Sequence, residues 1–253
     1  TLLALCRTLD AWNPPTSAHQ RDLVADLVLD GSFSEPVLRD GLALGLRDWT
    51  GDALRAVVER ELGSIERLHA TGPTRISGFE LTATILAGAI PMPALLSILL
   101  PLALQSPVLV KTSQRDRKTA QHVKNSVAAV EPELGGCIEI LSTPREDTAS
   151  TKCLLEAPCV VAMGSDATLK DLSQHVAASQ RWVGYGHRLS LAILGPGAQS
   201  SSNRKETTTR LARDIAIWDQ SGCLSPAAIF SIGTPADAAE VAASLARAME
   251  VIE

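Results

Sequence analysis

From about Arg75 onward the chain alternates short β-rich runs with helical stretches, and this alternation limits the fold more than any other feature. Candidate strands are Leu81–Leu86, Val108–Lys111, Ile138–Leu141, Val160–Met163, Leu191–Leu194 and Ile229–Ile232. Helical stretches fall near Pro93–Leu104, Thr119–Val130, Leu169–Ser179, Thr207–Trp218 and Ala236–Ile252. Strands that are apolar almost throughout need cover on both faces, and strands separated by helices run parallel. The pattern therefore predicts an α/β fold with a doubly wound, mostly parallel sheet. Before it, residues 1 to about 71 read as helical. Leu23, Val24, Leu27 and Val28 are spaced for one helix face. Leu54, Val57, Val58 and Leu62 are spaced for another, in a segment opened by Asp52. The polar run Gln199–Lys205 reads as a mobile surface loop.

Composition narrows the function. Hydrophobic residues make up 45% of the 253, enough for a large core. Aromatics are only 3%, so Ala, Leu, Val and Ile must fill that core. A formal charge of −5 gives no reason to expect nucleic acid or an anionic membrane as partner. Five cysteines (Cys6, Cys137, Cys153, Cys159, Cys223) lack the paired spacing of a disulfide framework or a zinc site and suit a reducing cytoplasm. The most apolar stretch, Leu81–Leu104, is long enough to cross a bilayer. Gly88, Pro91, Pro93 and Pro101 interrupt it, so a strand, a loop and a helix are expected rather than a membrane span. There is neither an initiating Met nor a basic leader, which suggests that no signal peptide is present and that the native start lies upstream.

A doubly wound sheet binds ligands at the carboxyl ends of its strands, so the residues following each strand are the candidates. After Val108–Lys111 comes Lys111-Thr112-Ser113-Gln114-Arg115-Asp116-Arg117. A lysine there can reach ribose hydroxyls or phosphate; alternatively the segment is a solvated basic helix start. After Val160–Met163 comes Gly164-Ser165-Asp166, which opens a helix. Glycine permits close backbone approach, and a helix N-terminus offers free N–H groups to phosphate, although Ser165 or Asp166 can equally be a simple N-cap. The third segment is Asp219-Gln220-Ser221-Gly222-Cys223-Leu224-Ser225-Pro226. Cys223 on a Gly- and Pro-bearing loop is placed as a thiolate nucleophile would be, while a lone cysteine is more often a small core residue. No Gly-x-Gly-x-x-Gly fingerprint occurs.

In this order the three segments resemble the aldehyde dehydrogenase superfamily, and within it the long-chain acyl-CoA reductases of the bacterial luminescence system and their relatives. Lys111-Thr112-Ser113-Gln114-Arg115-Asp116 is similar to that group's Lys-Thr-Ser-x-Arg-Asp segment. Val161-Ala162-Met163-Gly164-Ser165-Asp166 is similar to its Gly-Ser turn, and 214–226 to its nucleophile segment. The resemblance runs from about residue 45 to the end. It implies that Cys223 takes an acyl group from coenzyme A or another fatty acyl donor and that hydride from NADP(H) reduces the thioester to an aldehyde. It further implies cofactor contacts from Lys111, Ser113, Gly164 and Ser165, and a homo-oligomeric assembly. By role, the chain then divides into a helical N-terminal region (1–71), a nucleotide-binding domain (72–226) and the start of a truncated catalytic domain (227–253).

Aldehyde-oxidising relatives hydrolyse the thioester with a carboxylate base in a Glu-Leu-Gly-Gly stretch. The corresponding stretch here is Trp182-Val183-Gly184-Tyr185-Gly186-His187-Arg188, and no Asp or Glu occurs between Asp171 and Glu206. Reduction is thereby favoured over hydrolysis. His187 is either a substitute acid or base or a structural hydrogen-bonding residue. Two departures stand against the family pattern. Ala89 occupies the position where an Asn usually donates to the oxyanion, and only one strand and one helix follow Cys223. The alternative expectation is a catalytically inactive nucleotide-binding or assembly module of the same fold.

Overall fold

Capping residues set the helical lead-in. In the computed structural model, which describes residues 1–144 and 147–252, it comprises α1 (Leu2–Trp12), α2 (Ala18–Asp30), α3 (Glu35–Leu46) and α4 (Gly51–Leu62). The side chains of Ser17 and Thr50 accept from the first-turn N–H groups of α2 and α4. Gly31 and Gly63 end those helices in left-handed conformation, where glycine carries no Cβ penalty. The inward stripe includes Leu5, Leu9, Trp12, Leu23, Leu38, Leu42 and Leu46, all at most 2% exposed.

The alternating segments then form β1 (Thr82–Ile85), α5 (Met92–Ala103), β2 (Val108–Lys111), α6 (Thr119–Val130), α7 (Pro132–Gly136) and β3 (Ile138–Leu141). They continue with α8 (Thr148–Leu155), β4 (Cys159–Met163), α9 (Asp166–Ser173) and β5 (Arg181–Tyr185). The strands make one parallel sheet in the order β3-β2-β1-β4-β5, with Thr82 opposite both Val108 and Cys159. Side chains alternate across a strand. Ala83, Ile85, Val160 and Ala162 pack against Leu154 and Leu155 of α8 and Leu172 of α9. The opposite face carries Thr84, whose hydroxyl donates to the Ser97 carbonyl of α5. Helices thus cover the sheet from both sides, as the doubly wound reading requires. Trp12, fully buried, donates from Nε1 to Ser126 Oγ at 2.8 Å and joins the helical lead-in to α6.

A second parallel pair, β6 (Ser190–Leu194) and β7 (Pro226–Ser231), is covered on one face by α11 (Arg204–Ala216) and α12 (Pro235–Glu250); the short α10 (Pro196–Gln199) follows β6. Leu194, Leu211 and Val241 form the core of this region. Contacts divide the chain into two compact units, one ending at Gly186 and one beginning at His187.

Several expectations change in detail. Leu81–Leu104 resolves into β1, a loop and α5, and among the described residues no helix is long and apolar enough to cross a membrane. The helix expected at Leu169–Ser179 begins at the Ser165 cap and ends at Ser173. Strand β5 and helix α8 were not anticipated. Gln199 does not belong to a mobile loop: it is 4% exposed. Its Nε2 donates to the carbonyls of Leu194 and Ile232, and its Oε1 accepts from Ser231 Oγ. It is a buried polar tie between the ends of β6 and β7.

Candidate active site

The order of the five-stranded sheet reverses between β1 and β4: the chain leaves β1 through α5 on one face and leaves β4 through α9 on the other. Such a switch point opens a crevice at the carboxyl ends of the strands. Glycines stand on both sides of it. Gly88, in the loop after β1, has φ +84°, and a Cβ built there would meet nothing within 4 Å. Gly164 follows β4, and its N–H donates to the Tyr185 carbonyl at 3.3 Å. A Cβ at Gly164 would touch only the Thr168 side chain, at an ordinary 3.6 Å, and its φ is not positive. The protein's own packing therefore gives no reason for glycine at 164, whereas a ligand lying on the strand end would. Ser165 is the N-cap of α9. Its Oγ accepts from the Thr168 N–H at 3.2 Å and lies 2.9 Å from Thr168 Oγ1. The eight-residue helix behind it presents its first-turn N–H groups beside the crevice, an arrangement suited to a phosphate.

At the end of β2, Lys111 is 8% exposed, and its Nζ is held by the loop after β3. It donates to Thr143 Oγ1 at 2.6 Å and to the carbonyls of Thr143 and Pro144 at 3.3 and 3.2 Å. The ammonium is thus fixed at a strand end with its donors directed to neutral acceptors. Ser113 Oγ accepts from the Arg115 N–H at 3.1 Å, and buried Asp116 accepts from the N–H groups of Lys118 and Thr119 ahead of α6. These contacts build a turn that leaves Gln114, Arg115 and Arg117 exposed, with Arg117 donating to Gln114 Oε1.

The proposed nucleophile belongs to the second unit. Cys223 is exposed and free. The segment before it contains three consecutive non-glycine residues with positive φ: Trp218 (56°), Asp219 (48°) and Gln220 (60°). Each costs of order 1–3 kcal/mol and persists only where the surroundings enforce it. Trp218 is buried at 6% exposure, and its carbonyl accepts from the Ser221 N–H at 2.8 Å. The Ser225 N–H donates to Gly222 O at 3.0 Å, and a Cβ on Gly222 would lie 3.1 Å from Ser225 Oγ. The result is a tight turn with the thiol on its outer side. No side chain of Ala89 can donate a hydrogen bond.

The five-stranded sheet therefore brings the Lys111, Ser113, Gly164 and Ser165 segments to its carboxyl ends, while Cys223 lies in the other unit. Gly88 was overlooked as a feature of the crevice; a glycine after the first strand of a doubly wound sheet was the available signal.

Comparison with known proteins bears on the family and on the fold. The family model described as "Acyl-CoA reductase (LuxC)" matches residues 12–253. A "Long-chain acyl-protein thioester reductase 2" of Photobacterium leiognathi is 24% identical over 236 residues, covering 89% of this chain and 48% of that protein. A long-chain acyl-protein thioester reductase of Aliivibrio fischeri is 24% identical over 232 residues, 88% of this chain and 48% of that one. The chain thus spans about half the length of these relatives. Among solved structures, aldehyde dehydrogenase 21 of Physcomitrella patens superposes with a TM-score of 0.69 at 14% identity, over 99% of this chain and 52% of that one, a likeness of fold.

Proposed function

The chain belongs to the acyl-CoA reductase (LuxC) family, and from that premise we propose that it carries the nucleotide-binding half of a reductase converting a fatty acyl thioester to an aldehyde. The Cys223 thiolate attacks the thioester carbonyl, the carbon–sulfur bond to the donor breaks, and the donor leaves as a thiol while the acyl group stays on Cys223. The tight turn holds that thiol outward, so attack needs no rearrangement of the loop. A bound nicotinamide cofactor would supply the hydride that reduces the enzyme thioester. Its pyrophosphate would lie at Gly164 and Ser165 against the start of α9, with its adenosine ribose toward the Lys111–Ser113 segment. By role, 1–71 is the helical region, 72–226 the nucleotide-binding domain and 227–253 the start of a catalytic domain that acts in a homo-oligomer.

NADPH is the proposed cofactor. Residues that select NAD are commonly carboxylates accepting from the ribose 2′-hydroxyl. Here Gln114 is neutral, and Arg115 and Arg117 are exposed beside it, a surround that tolerates a 2′-phosphate. Replacing Arg115 with Glu should weaken NADPH binding tenfold or more while changing NADH binding little, measured by calorimetry.

The observation that supports the thiol step most directly is the exposure of Cys223 on its enforced turn. Incubation with tetradecanoyl-CoA followed by intact-mass and peptide analysis tests it. One acyl group on Cys223, absent in Cys223→Ala, is expected; acylation elsewhere, or none, refutes the step. Ala89 favours a second reading, a module that binds nucleotide without catalysis. That reading gains if NADPH binds but Cys223 never acylates.

A further inference from the structure

The helical lead-in encloses a cavity of its own. It measures about 390 Å³ and lies between α2 and α3, which meet as a hairpin through residues 31–34. Among the described residues its lining falls between Pro15 and Arg39. Ligand pockets usually measure roughly 300–1,000 Å³, so this one suits a small molecule. Gln20 sets the chemistry of the floor and is 3% exposed. Its Nε2 donates to the carbonyls of Trp12, Asn13 and Pro14 at 2.7, 3.3 and 3.2 Å, in the connection between α1 and α2. Those bonds turn the nitrogen toward the connection, and no described residue donates to Oε1. Nor is Oε1 sealed in protein: among the described residues Thr119 Oγ1 is the one fully buried side-chain N or O atom without a partner. Gln20 therefore presents an open acceptor to the cavity it lines, and such an acceptor favours a ligand that donates.

Arg21 of α2 and Arg39 of α3 also line the cavity. Each guanidinium has a surface partner, Asp22 at 3.1 Å for Arg21 and Glu35 for Arg39, with both pairs well exposed. Exposed pairs of this kind hold little energy, so both forks can turn to an incoming carboxylate, which a guanidinium binds through two parallel N–H donors. Beyond Gln20 the α2 side of the cavity is apolar. Val24 lies one turn along the helix, about 6 Å away, and Val28 two turns, about 12 Å, with Ala25 beside them. The ligand must therefore combine a carboxylate, a neutral N–H close to it and an aliphatic body. A simple fatty acid has no donor for Gln20. A nucleotide or sugar phosphate would press hydroxyl groups onto Val24 and Val28 without partners. An α-amido carboxylic acid carries all three features on one carbon.

We infer that this cavity binds a small N-acylated amino acid with an aliphatic side chain. Its amide N–H donates to Gln20 Oε1, its carboxylate sits between Arg21 and Arg39, and its side chain packs on Val24 and Val28.

The test uses the full 253-residue chain and N-acetyl-L-leucine, followed by calorimetry. One molecule should bind per chain with a Kd below about 1 mM, a modest demand on a ligand of about twelve non-hydrogen atoms. Two analogues probe the recognition without altering the protein. 4-Methylpentanoate keeps the carboxylate and the side chain but lacks the amide, and N-acetyl-leucinamide keeps the amide but lacks the charge. Each should bind tenfold or more weakly. Ala25→Trp, which fills the cavity from an exposed position, should abolish binding, and Arg21→Gln with Arg39→Gln should weaken it tenfold or more. Both variants should keep the Tm of the parent chain. Bound ligand should slow hydrogen exchange within residues 15–39. The same chemistry occurs at the end of a polypeptide, so a hexapeptide ending in leucine separates the sources: weaker binding than N-acetyl-leucine is expected, and tighter binding would overturn the small-molecule assignment. Absence of binding overturns the inference, as does equal affinity for 4-methylpentanoate, which would remove Gln20 from recognition. Full affinity in Ala25→Trp would place the ligand elsewhere and overturn it as well.

Discussion

Five thiols in one chain provide an internal comparison for Cys223. Burial raises the pKa of Cys6 and of Cys159, and for Cys6 the carboxylates of Asp10 and Asp52 push the same way against Arg55. A raised thiol pKa means less thiolate at a given pH, and thiolate is the reacting form. Both should react slowly near pH 7.5 and gain on the exposed thiols as pH rises toward their own pKa. Cys153 and Cys223 are the two exposed cysteines, so Cys153 is the real competitor, which the sequence did not indicate. It is carried within the regular last turn of α8, whereas Cys223 is carried on the tight turn that follows three residues of positive φ. Limited iodoacetamide labelling with peptide mapping should therefore modify Cys223 first and Cys153 second. Labelling of Cys153 ahead of Cys223 contradicts the assignment of a poised nucleophile.

At the scale of elements, two polar ties are open to measurement. His122 of α6 meets Asp26 of α2 at 2.8 Å, and this hydrogen bond is the main cause of the lowered Asp26 pKa. A depressed carboxylate contributes stability that is present above its unfolded pKa and is lost as pH falls through its folded one. The Asp26 side chain is 43% exposed, so solvent screens the pair and the contribution is small. Asp26→Asn should lower Tm slightly from pH 5 to 6, and the difference should shrink steadily below about pH 4; a difference constant down to pH 2 refutes the linkage. The second tie is Gln199, which joins β6, α10 and β7. Replacing it with Ala leaves two carbonyls and the Ser231 hydroxyl without that partner and should cost about 2–3 kcal/mol. Hydrogen exchange should then rise in 187–252 and not in 1–144.

The elements that sequence reading found and those it missed differ in physical kind. Val108–Lys111, Ile138–Leu141 and Thr119–Val130 were legible to the residue because continuous apolar strands and a 3.6-residue stripe are strong local signals. Strand β5, Arg181–Tyr185, lies at the sheet edge, half exposed and with Gly184 inside it, so it lacks the apolar run of a central strand. Helix α8 is rich in Thr and Ser, weak helix formers, and is started instead by Asp147, whose Oδ1 accepts from the Ser150 N–H at 3.0 Å. Topology could have supplied it, since two parallel strands need a crossover between Leu141 and Cys159. The candidate site was legible as three segments. Its crevice was not, because a switch point depends on strand order, which no local pattern encodes.

For the molecule as a whole, the two units differ in how completely their sheets are covered. The five-stranded sheet has helices on both faces, a switch point between β1 and β4 and a large leucine core. The β6–β7 pair has helices on one face, and on the other Leu191, Ile193 and Phe230 are 48%, 68% and 54% exposed. Parallel strands are rarely stable with an apolar face in water, and a two-stranded sheet is marginal by itself. We therefore expect the two units to behave differently in the isolated chain. The first should hold NADPH with a measurable Kd. The second should expose hydrophobic surface, seen as dye binding and self-association that Ile193→Lys with Phe230→Lys reduces while NADPH affinity stays the same. Turnover should be slight. Ala89 supplies no oxyanion donor, and loss of one such donor costs about 3–4 kcal/mol, or roughly 10²–10³ in rate. A thiol carried on the less covered unit also lacks the water exclusion that strengthens electrostatic stabilisation of the reacting carbonyl. NADPH oxidation with tetradecanoyl-CoA, run beside direct binding of NADPH, decides the matter. Binding without appreciable oxidation is the expected result. Robust oxidation would show that the β6–β7 unit is sufficient as it stands, and failure to bind any nicotinamide cofactor would remove the switch-point crevice as its site.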